Sequence, residues 1–196
     1  MSEDPEGESL RENHRAERGG DPEGISLGGS RQAEGLVVKW EALLAGAGCG
    51  ERVIAHARAV TDLALTFSHS DVVNRELVLA GAMLHDIGRG STHGIAHAQR
   101  GAEIARSYGL DPRIVSIIER HIGAGLTADE CSLAGLAPRD CVPATIEEKI
   151  VADADNLVHG SRVASIEDTL LGAIRLKRRL RLRMYRLYLE MESFRS

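Results

Sequence analysis

The sequence predicts an all-α fold, and three observations support that expectation. Apolar residues recur at spacings of three and four, as in the stretch 51–68 with Val53, Ala57, Val60 and Ala64. Aromatic residues make up only 3% of the 196 residues, and no stretch alternates as a half-buried strand would. Hydrophobic residues reach 43%, which is enough for one packed domain. We therefore expect a bundle of about six to eight helices.

Helical periodicity begins at Leu36 and divides the chain into eight predicted helices. Glycine and capping residues set the boundaries: Gly109 ends one helix, and Asp111 followed by Pro112 begins the next. The helix over 76–87 is apolar on nearly every side, which is typical of a deeply buried element. The predicted helices cover residues 36–47, 51–68, 76–87, 96–108, 112–122, 127–136, 145–159 and 163–191.

Two of these helices begin with the spacing of a capping box. In that motif a Ser or Thr and an acid three residues later each accept a hydrogen bond from the other's backbone N–H. Thr127 with Glu130 and Thr145 with Glu148 both match it. The two threonines are therefore expected to be the first residues outside their helices.

Composition divides the chain into three segments. Residues 1–34 contain almost no large apolar side chains, and we expect a disordered acidic tail because little burial offsets the entropy of ordering. Residues 35–160 are predicted to form the folded domain. Residues 161–196 are predicted to be a basic amphipathic helix that packs on this domain or extends from it.

Several protein classes are not indicated. No stretch approaches about 18 uncharged apolar residues, so no transmembrane helix is expected. The acidic, polar N-terminus is unlike a secretory signal. Cys49, Cys131 and Cys141 lack CxxC spacing, which predicts neither a disulfide framework nor a thiolate zinc site. We predict a reduced, cytoplasmic location for the protein.

Ionisable residues stand at helix positions where the pattern calls for apolar ones. A single histidine of this kind is usually a hydrogen-bonded core residue, and a buried carboxylate costs several kcal/mol unless it is paired. No Lys or Arg lies on these faces to pair with them all, whereas a divalent cation would satisfy them together. Imidazole and carboxylate ligands without thiolate suit Zn, Mn, Fe, Co or Ni. Six residues form this set: His56, His85, Asp86, His97, His121 and Asp155.

The order of these residues resembles the H…HD…D signature of the HD superfamily of metal-dependent phosphohydrolases. His56 supplies the first histidine, and residues 85–88 read His-Asp-Ile-Gly, as in the HDIG subgroup. Residues 154–157 read Ala-Asp-Asn-Leu and resemble the closing Ala-Asp-x-Leu motif, which selects Asp155 over Asp153. The resemblance implies an HD-domain helical bundle.

A narrower resemblance covers residues 121–126 (HIGAGL) and 147–150 (EEKI). These segments are similar to those of a small group of archaeal HD proteins of unassigned function. This resemblance implies no particular substrate.

The family resemblance also implies a ligand set. Four residues are implied for a first metal ion: His56, His85, Asp86 and Asp155. Members with two ions add histidines, which His97 and His121 resemble, and Asp86 would then bridge both ions. One or two divalent ions from Mn, Fe, Co, Ni or Zn are implied, with Mg also possible.

The implied reaction is hydrolysis of a phosphate ester, such as a nucleotide, a cyclic nucleotide or another monoester or diester, by a metal-activated water. Asp86 is the candidate to orient that water or accept its proton. Arg89 and Arg120 are candidates to bind the phosphate of the substrate, because arginine suits bidentate phosphate contacts. The alternative is that both are ordinary surface arginines. His93 lies four residues before His97 and is a candidate substrate contact or proton donor, or a loop histidine.

Lys149 is a further candidate phosphate contact, with pairing to the two preceding acids as the alternative.

The sequence also departs from the family pattern. Arg89 stands where the HDIG group often has Lys, and the two bind phosphate differently. The Gly-Tyr-Pro motif of cyclic-di-GMP hydrolases is absent, so that substrate is not implied.

The segment 175–186 holds seven basic residues interleaved with leucines. It is interpreted as the solvated basic face of a packing helix, or as a contact with RNA or an anionic membrane. In the second case the protein would be a non-catalytic, nucleotide-sensing or RNA-associated binding module. The apolar stripe of the same segment could also form a homodimer.

Overall fold

A computed structural model describes residues 27–68 and 71–194. The all-α prediction is confirmed, since the described residues form nine α-helices and one two-stranded hairpin. The elements in chain order are α1 (Leu27–Gly46), α2 (Glu51–Leu65), α3 (Arg75–Leu84), a 3-10 turn (Ile87–Gly90), α4 (His97–Ser107), α5 (Pro112–Arg120), α6 (Ala128–Leu133), α7 (Ile146–Leu157), β1 (Val158–His159), β2 (Arg162–Val163), α8 (Ile166–Gly172) and α9 (Arg178–Glu192).

Both ends of the chain differ from the sequence prediction. Residues 1–26 of the predicted tail lie outside the described residues, but α1 already begins at Leu27, so 27–34 are helical. The single helix predicted over 163–191 is two helices, because the chain turns between Gly172 and Lys177 before α9 begins. None of the helices in the described part is long and apolar enough to cross a bilayer.

The helix boundaries follow the predicted caps. Asp111 accepts a hydrogen bond from the backbone N–H of Arg113, with Pro112 as the first helical residue of α5. Thr127 and Thr145 both form complete capping boxes. These local interactions therefore fix where α5, α6 and α7 begin.

The core lies where α2, α3, α5 and α7 pack together. Helix α3 is buried from Leu77 to Leu84, as its apolar sequence predicts. Val60, Ile117 and Ile150 bring the neighbouring helices onto it and are themselves fully or almost fully buried. This packing holds the ends of α3 and α5 and the middle of α2 and α7 side by side.

A short hairpin follows α7, where the sequence predicts continued helix to residue 159. Val158 pairs with Val163 and His159 with Arg162 in antiparallel register. Gly160 makes the turn with a φ of 68°, a conformation that glycine adopts without steric cost. The hairpin crosses the domain boundary predicted at residue 160 and turns the chain back toward α2.

Helix α9 is held to the domain by a buried carboxylate. Glu130 of α6 is 7% exposed and accepts hydrogen bonds from Arg183 at 2.9 and 3.2 Å, while the Nε of Arg179 lies 3.0 Å away. The same carboxylate accepts the Thr127 backbone N–H of the capping box. Glu130 thus accepts a backbone N–H at the start of α6 and pairs with two arginines, and these interactions offset the cost of burying its charge.

The 3-10 turn packs against α4 through Gly88. A Cβ built on Gly88 would lie 2.0 Å from the carbonyl oxygen of His97 and 2.6 Å from the backbone nitrogen of Gly101. Both contacts are with backbone, which has no rotamer to adjust. Only glycine therefore allows the turn after Asp86 to lie this close to α4.

Replacing Gly88 with alanine should destabilise the protein by about 2 kcal/mol or more, because the turn and α4 must move apart. This corresponds to a melting temperature lower by roughly 4–8 °C in thermal denaturation followed by circular dichroism. Gly172→Ala is the control, since nothing lies within 4 Å of the Cβ it would add. Equal stability of Gly88→Ala and the wild type would contradict the close packing.

Replacing Glu130 with glutamine should lower the free energy of unfolding by about 1–3 kcal/mol at neutral pH. The hydrogen bonds from Arg183 outweigh burial and hold the pKa of Glu130 below its usual value. Its stabilisation is thus present above the unfolded pKa of about 4.3 and is lost as pH falls through the lower folded pKa. In urea denaturation from neutral to acid pH, the difference between wild type and variant should shrink on acidification. A constant difference would contradict this role.

Candidate metal centre

The structure brings together all six residues that the sequence predicts as metal ligands. They lie on, or directly after, five helices that are distant in the chain but adjacent in the core. His56 lies on α2 and Asp155 on α7, and His97 is the first residue of α4. His85 and Asp86 directly follow α3, and His121 directly follows α5.

Asp155 faces two of the histidines. Its Oδ1 lies 2.9 Å from the Nε2 of His56 and 3.3 Å from the Nε2 of His85. The rings of His56 and His85 have centroids 5.3 Å apart. The aspartate that the closing motif selects is therefore within reach of both imidazoles.

The two oxygens of Asp86 face different groups of histidines. Its Oδ1 lies 3.0 Å from the Nε2 of His97 and 3.7 Å from the Nε2 of His121. Its Oδ2 lies 3.7 Å from the Nε2 of His85. Asp86 thus stands between the two halves of the cluster.

Each of the four imidazoles is oriented by a hydrogen bond to a backbone carbonyl. The Nδ1 atoms of His85, His97 and His121 lie 2.7–2.8 Å from the carbonyl oxygen three residues earlier, and that of His56 lies 2.7 Å from Gly160 O. Because a carbonyl oxygen only accepts, each Nδ1 carries the hydrogen. A neutral ring then presents its Nε2 lone pair to the centre of the cluster.

For two of these rings the local reason is clear. His85 and His121 directly follow the last residues of α3 and α5, where the final carbonyl groups lack helical partners. Each ring donates to one such carbonyl, that of Ala82 or Ile118. The end of the helix therefore fixes both the tautomer and the direction of the ring.

The cluster fits a divalent cation. The buried Nε2 of His85 makes no hydrogen bond within the described residues, and the Nε2 atoms of His97 and His121 lie 2.9 Å apart. Two lone pairs at that distance repel unless a proton or a cation lies between them. A metal-binding histidine typically donates its other N–H to a backbone carbonyl, as all four do here. Two His/Asp groups have ligand atoms within 4.8 Å of one another.

The charges of the cluster also favour a cation. Burial alone would raise the pKa of Asp86 and Asp155, but the neighbouring His85 holds both well below their usual value. Burial would lower the pKa of His85, yet the two carboxylates outweigh it and raise it to about 9. Burial and His85 lower the pKa of His121 to about 3. Without a bound ion, a proton on His85 Nε2 supplies the positive charge that the two carboxylates favour at this position, and a divalent cation would take its place.

Arg89 and His93 lie next to the cluster. The Nε of Arg89 donates to Asp86 Oδ2 at 2.6 Å, and its Nη1 donates to the backbone carbonyl of His93 at 3.4 Å. The side chain of Arg89 is 33% exposed, and His93 is exposed in the loop before α4. Arg89 therefore joins the carboxylate to this loop.

Arg120 and Lys149 occupy ion pairs instead. Arg120 donates to both oxygens of the buried Glu148, at 3.0 and 2.9 Å. Lys149 pairs with Glu190 of α9 at 2.7 Å, and not with the acids that precede it in the sequence. In this arrangement both cations hold helices together.

Two features of the site escaped the sequence prediction. One is the carbonyl of Gly160, which orients His56 from a hairpin that periodicity did not reveal. The other is Cys49, whose buried thiol donates to the carbonyl of Ile87 at 3.5 Å. Burial raises the pKa of Cys49, which keeps it a thiol that supports the backbone of the motif. For the hairpin, the turn signal in the sequence is Gly160 followed by Ser161.

Comparisons with known proteins identify a family and similar sequences. The HD domain family profile matches residues 53–159. An uncharacterized protein of Methanocaldococcus jannaschii is 48% identical over 127 residues, which cover 62% of this chain and 75% of that protein. A tRNA (cytidine(56)-2'-O)-methyltransferase of Picrophilus torridus is 48% identical over 118 residues, 60% of this chain. The chain spans only 35% of that relative's length.

Among solved structures, the HD domain of the phosphodiesterase PgpH of L. monocytogenes in complex with cyclic-di-AMP is similar. Its sequence is 17% identical, the match covers 70% of this chain and 88% of that one, and the TM-score is 0.48.

The tautomer of His121 tests the geometry of the cluster directly. In the metal-free protein at neutral pH its ring should be neutral, with the hydrogen on Nδ1, because Nδ1 donates to the carbonyl of Ile118. Long-range nitrogen–proton correlation NMR distinguishes the two tautomers, and a His121→Gln variant assigns the signal. A neutral ring with its hydrogen on Nε2 would contradict the expectation that the Nε2 lone pair of His121 faces the centre of the cluster.

Proposed function

Since the chain belongs to the HD domain family, we propose that it is a metal-dependent phosphohydrolase that cleaves a phosphate ester, with a nucleotide as the favoured substrate class. The observation that carries the proposal is the convergence of four Nε2 atoms on the carboxylates of Asp86 and Asp155. Within residues 27–68 and 71–194, the one Lys or Arg that pairs with either carboxylate is Arg89, which pairs with Asp86 and not with Asp155.

The chemistry of the ligands favours two ions. An imidazole Nε2 has one lone pair and binds one ion, so His85 cannot serve both groups, whereas a carboxylate has two oxygens and can bridge. The two oxygens of Asp86 face opposite groups. We assign the first ion to His56, His85, Asp86 and Asp155, and the second to Asp86, His97 and His121.

When bound, divalent ions of this kind lower the pKa of water and polarise a phosphoryl oxygen. The residues of the chain supply the rest of the reaction. Asp86 would orient the attacking water, since the lowered pKa of its carboxyl makes it a weak proton acceptor. Arg89 is bonded to Asp86 through Nε and to the His93 carbonyl through Nη1, and we assign its Nη2 to a phosphate oxygen of the substrate.

His93 completes the proposed site. It is exposed in the loop whose carbonyl contacts Arg89, so it lies on the solvent side of the centre. We assign to it a contact with the substrate, or the donation of a proton to the leaving oxygen. Arg120 and Lys149 have no part in this proposal, because Glu148 and Glu190 already pair with them.

Hydrolysis products, separated by chromatography, should be detectable from at least one class in a panel of nucleotides, cyclic nucleotides, simple phosphomonoesters and short RNA, with Mn, Co, Ni, Zn or Mg added. RNA is included because one relative is named as a tRNA methyltransferase. Asp86→Ala should reduce the rate by at least about a hundredfold and lower the metal content, because it removes the shared ligand. Asp62→Ala, an exposed change on α2, should leave both unchanged.

Metal analysis of the same proteins distinguishes the alternatives. Two ions per chain in the wild type, with one lost in His121→Gln, would support the dinuclear assignment, and one ion would favour a mononuclear centre. No hydrolysis product from any substrate with folded, metal-loaded protein would leave the non-catalytic nucleotide-sensing or RNA-associated module as the better interpretation.

A further inference from the structure

The surface formed by residues 171–189, here called the basic face, is enriched in exposed large apolar side chains compared with the rest of the described chain. On α9 the side chains of Leu182, Tyr185 and Leu189 lie at spacings of three and four, and all are at least 39% exposed. Half of the exposed large hydrophobic residues in the described part of the chain lie in this segment: Leu171, Ile174, Leu176, Leu182, Tyr185 and Leu189.

The apolar stripe of α9 is distinct from the face that packs on the domain. Met184, Leu187 and Met191 point into the core and are less than 9% exposed. Leu182 and Leu189 are therefore not required for the packing of α9. The helix has two apolar sides, and the described residues cover only one of them.

The same surface is strongly cationic. Residues 170–189 contain seven basic and no acidic residues. Arg179 and Arg183 are held by Glu130. Among the residues that the structure describes, the other five form no ion pair: Arg175, Lys177, Arg178, Arg181 and Arg186.

A cavity of about 260 Å³ adjoins this segment. Its walls include the apolar side chains of Leu133, Leu176 and Leu180, and Arg175 and Lys177 also line it. Leu133 of α6 is 73% exposed at this point. The cavity thus repeats the combination of aliphatic wall and unpaired cation found on α9.

Charge and apolarity together restrict the partner. A second copy of this face would bring unpaired arginines against one another, which is unfavourable. RNA matches the cations, but its hydrated backbone offers no apolar partner to Leu182 and Leu189. An anionic bilayer offers phosphate groups within a few ångström of an acyl layer, and tyrosine is enriched at the interface between them.

We propose that the basic face is a docking surface for an anionic lipid bilayer. Helix α9 lies in the plane of the headgroups, with Arg178 and Arg186 on lipid phosphates and Leu182, Tyr185 and Leu189 at the acyl boundary. The helix does not span the bilayer. The 260 Å³ cavity extends the contact to α6.

Sedimentation of the full chain with vesicles tests this proposal. The protein should sediment with vesicles of phosphatidylcholine and phosphatidylserine in equal parts, and not with phosphatidylcholine alone. Both Arg178→Glu/Arg186→Glu and Leu182→Ser/Leu189→Ser should weaken binding by at least about tenfold, because each removes one half of the contact. These four side chains are exposed, so thermal denaturation should show folded variants.

Matched controls lie outside the basic face. Arg52→Glu/Arg100→Glu makes the same charge change, and Val38→Ser/Tyr108→Ser removes exposed apolar side chains elsewhere; both should bind as the wild type does. Three outcomes overturn the proposal. They are no binding to anionic vesicles, binding that survives the leucine changes and is displaced by a single-stranded RNA, and a stable dimer that the leucine changes dissociate.

Discussion

The hydrogen bond from each imidazole Nδ1 to a backbone carbonyl is the interaction on which the centre depends. It places the hydrogen on Nδ1 in all four rings and turns every Nε2 inward, toward Asp86 and Asp155. Without it, a neutral histidine could donate from Nε2 to a carboxylate and end the demand for a cation. The backbone thus decides that these rings act as ligands rather than as hydrogen-bonded core residues.

The helices that carry the ligands are held by buried glutamates that serve two purposes. Glu148 caps α7, which carries Asp155, and binds Arg120, the residue before His121. Its single carboxylate therefore sets the relative position of two ligand-bearing helices. Glu130 likewise caps α6 and binds Arg183 of α9, and so sets the relative position of these two helices, which carry no predicted ligand. Each buried charge is satisfied by backbone N–H groups and an arginine, the condition under which such burial is stable.

Close backbone approach explains the shape of the site around Asp86. Gly88 brings the 3-10 turn against α4, so that Asp86 and His97 face each other. The Cys49 thiol supports the same backbone from α1's side of the core. The glycine of the HDIG motif is thus a packing requirement, and the neighbouring Arg89, whose side chain is one-third exposed, pairs with Asp86 at the edge of the site.

The sequence by itself determined the helical class, the caps at Asp111, Thr127 and Thr145, and the six clustered ionisable residues, because period, cap chemistry and motif are local. Only the tertiary structure decided that Gly160 orients His56 and that Arg120 and Lys149 pair with Glu148 and Glu190. Those partners lie 28 to 104 residues apart in the chain, and no local pattern encodes such contacts. The split of the last helix was also missed, although Ser165 before α8 and Gly172 at its end are local signals for it.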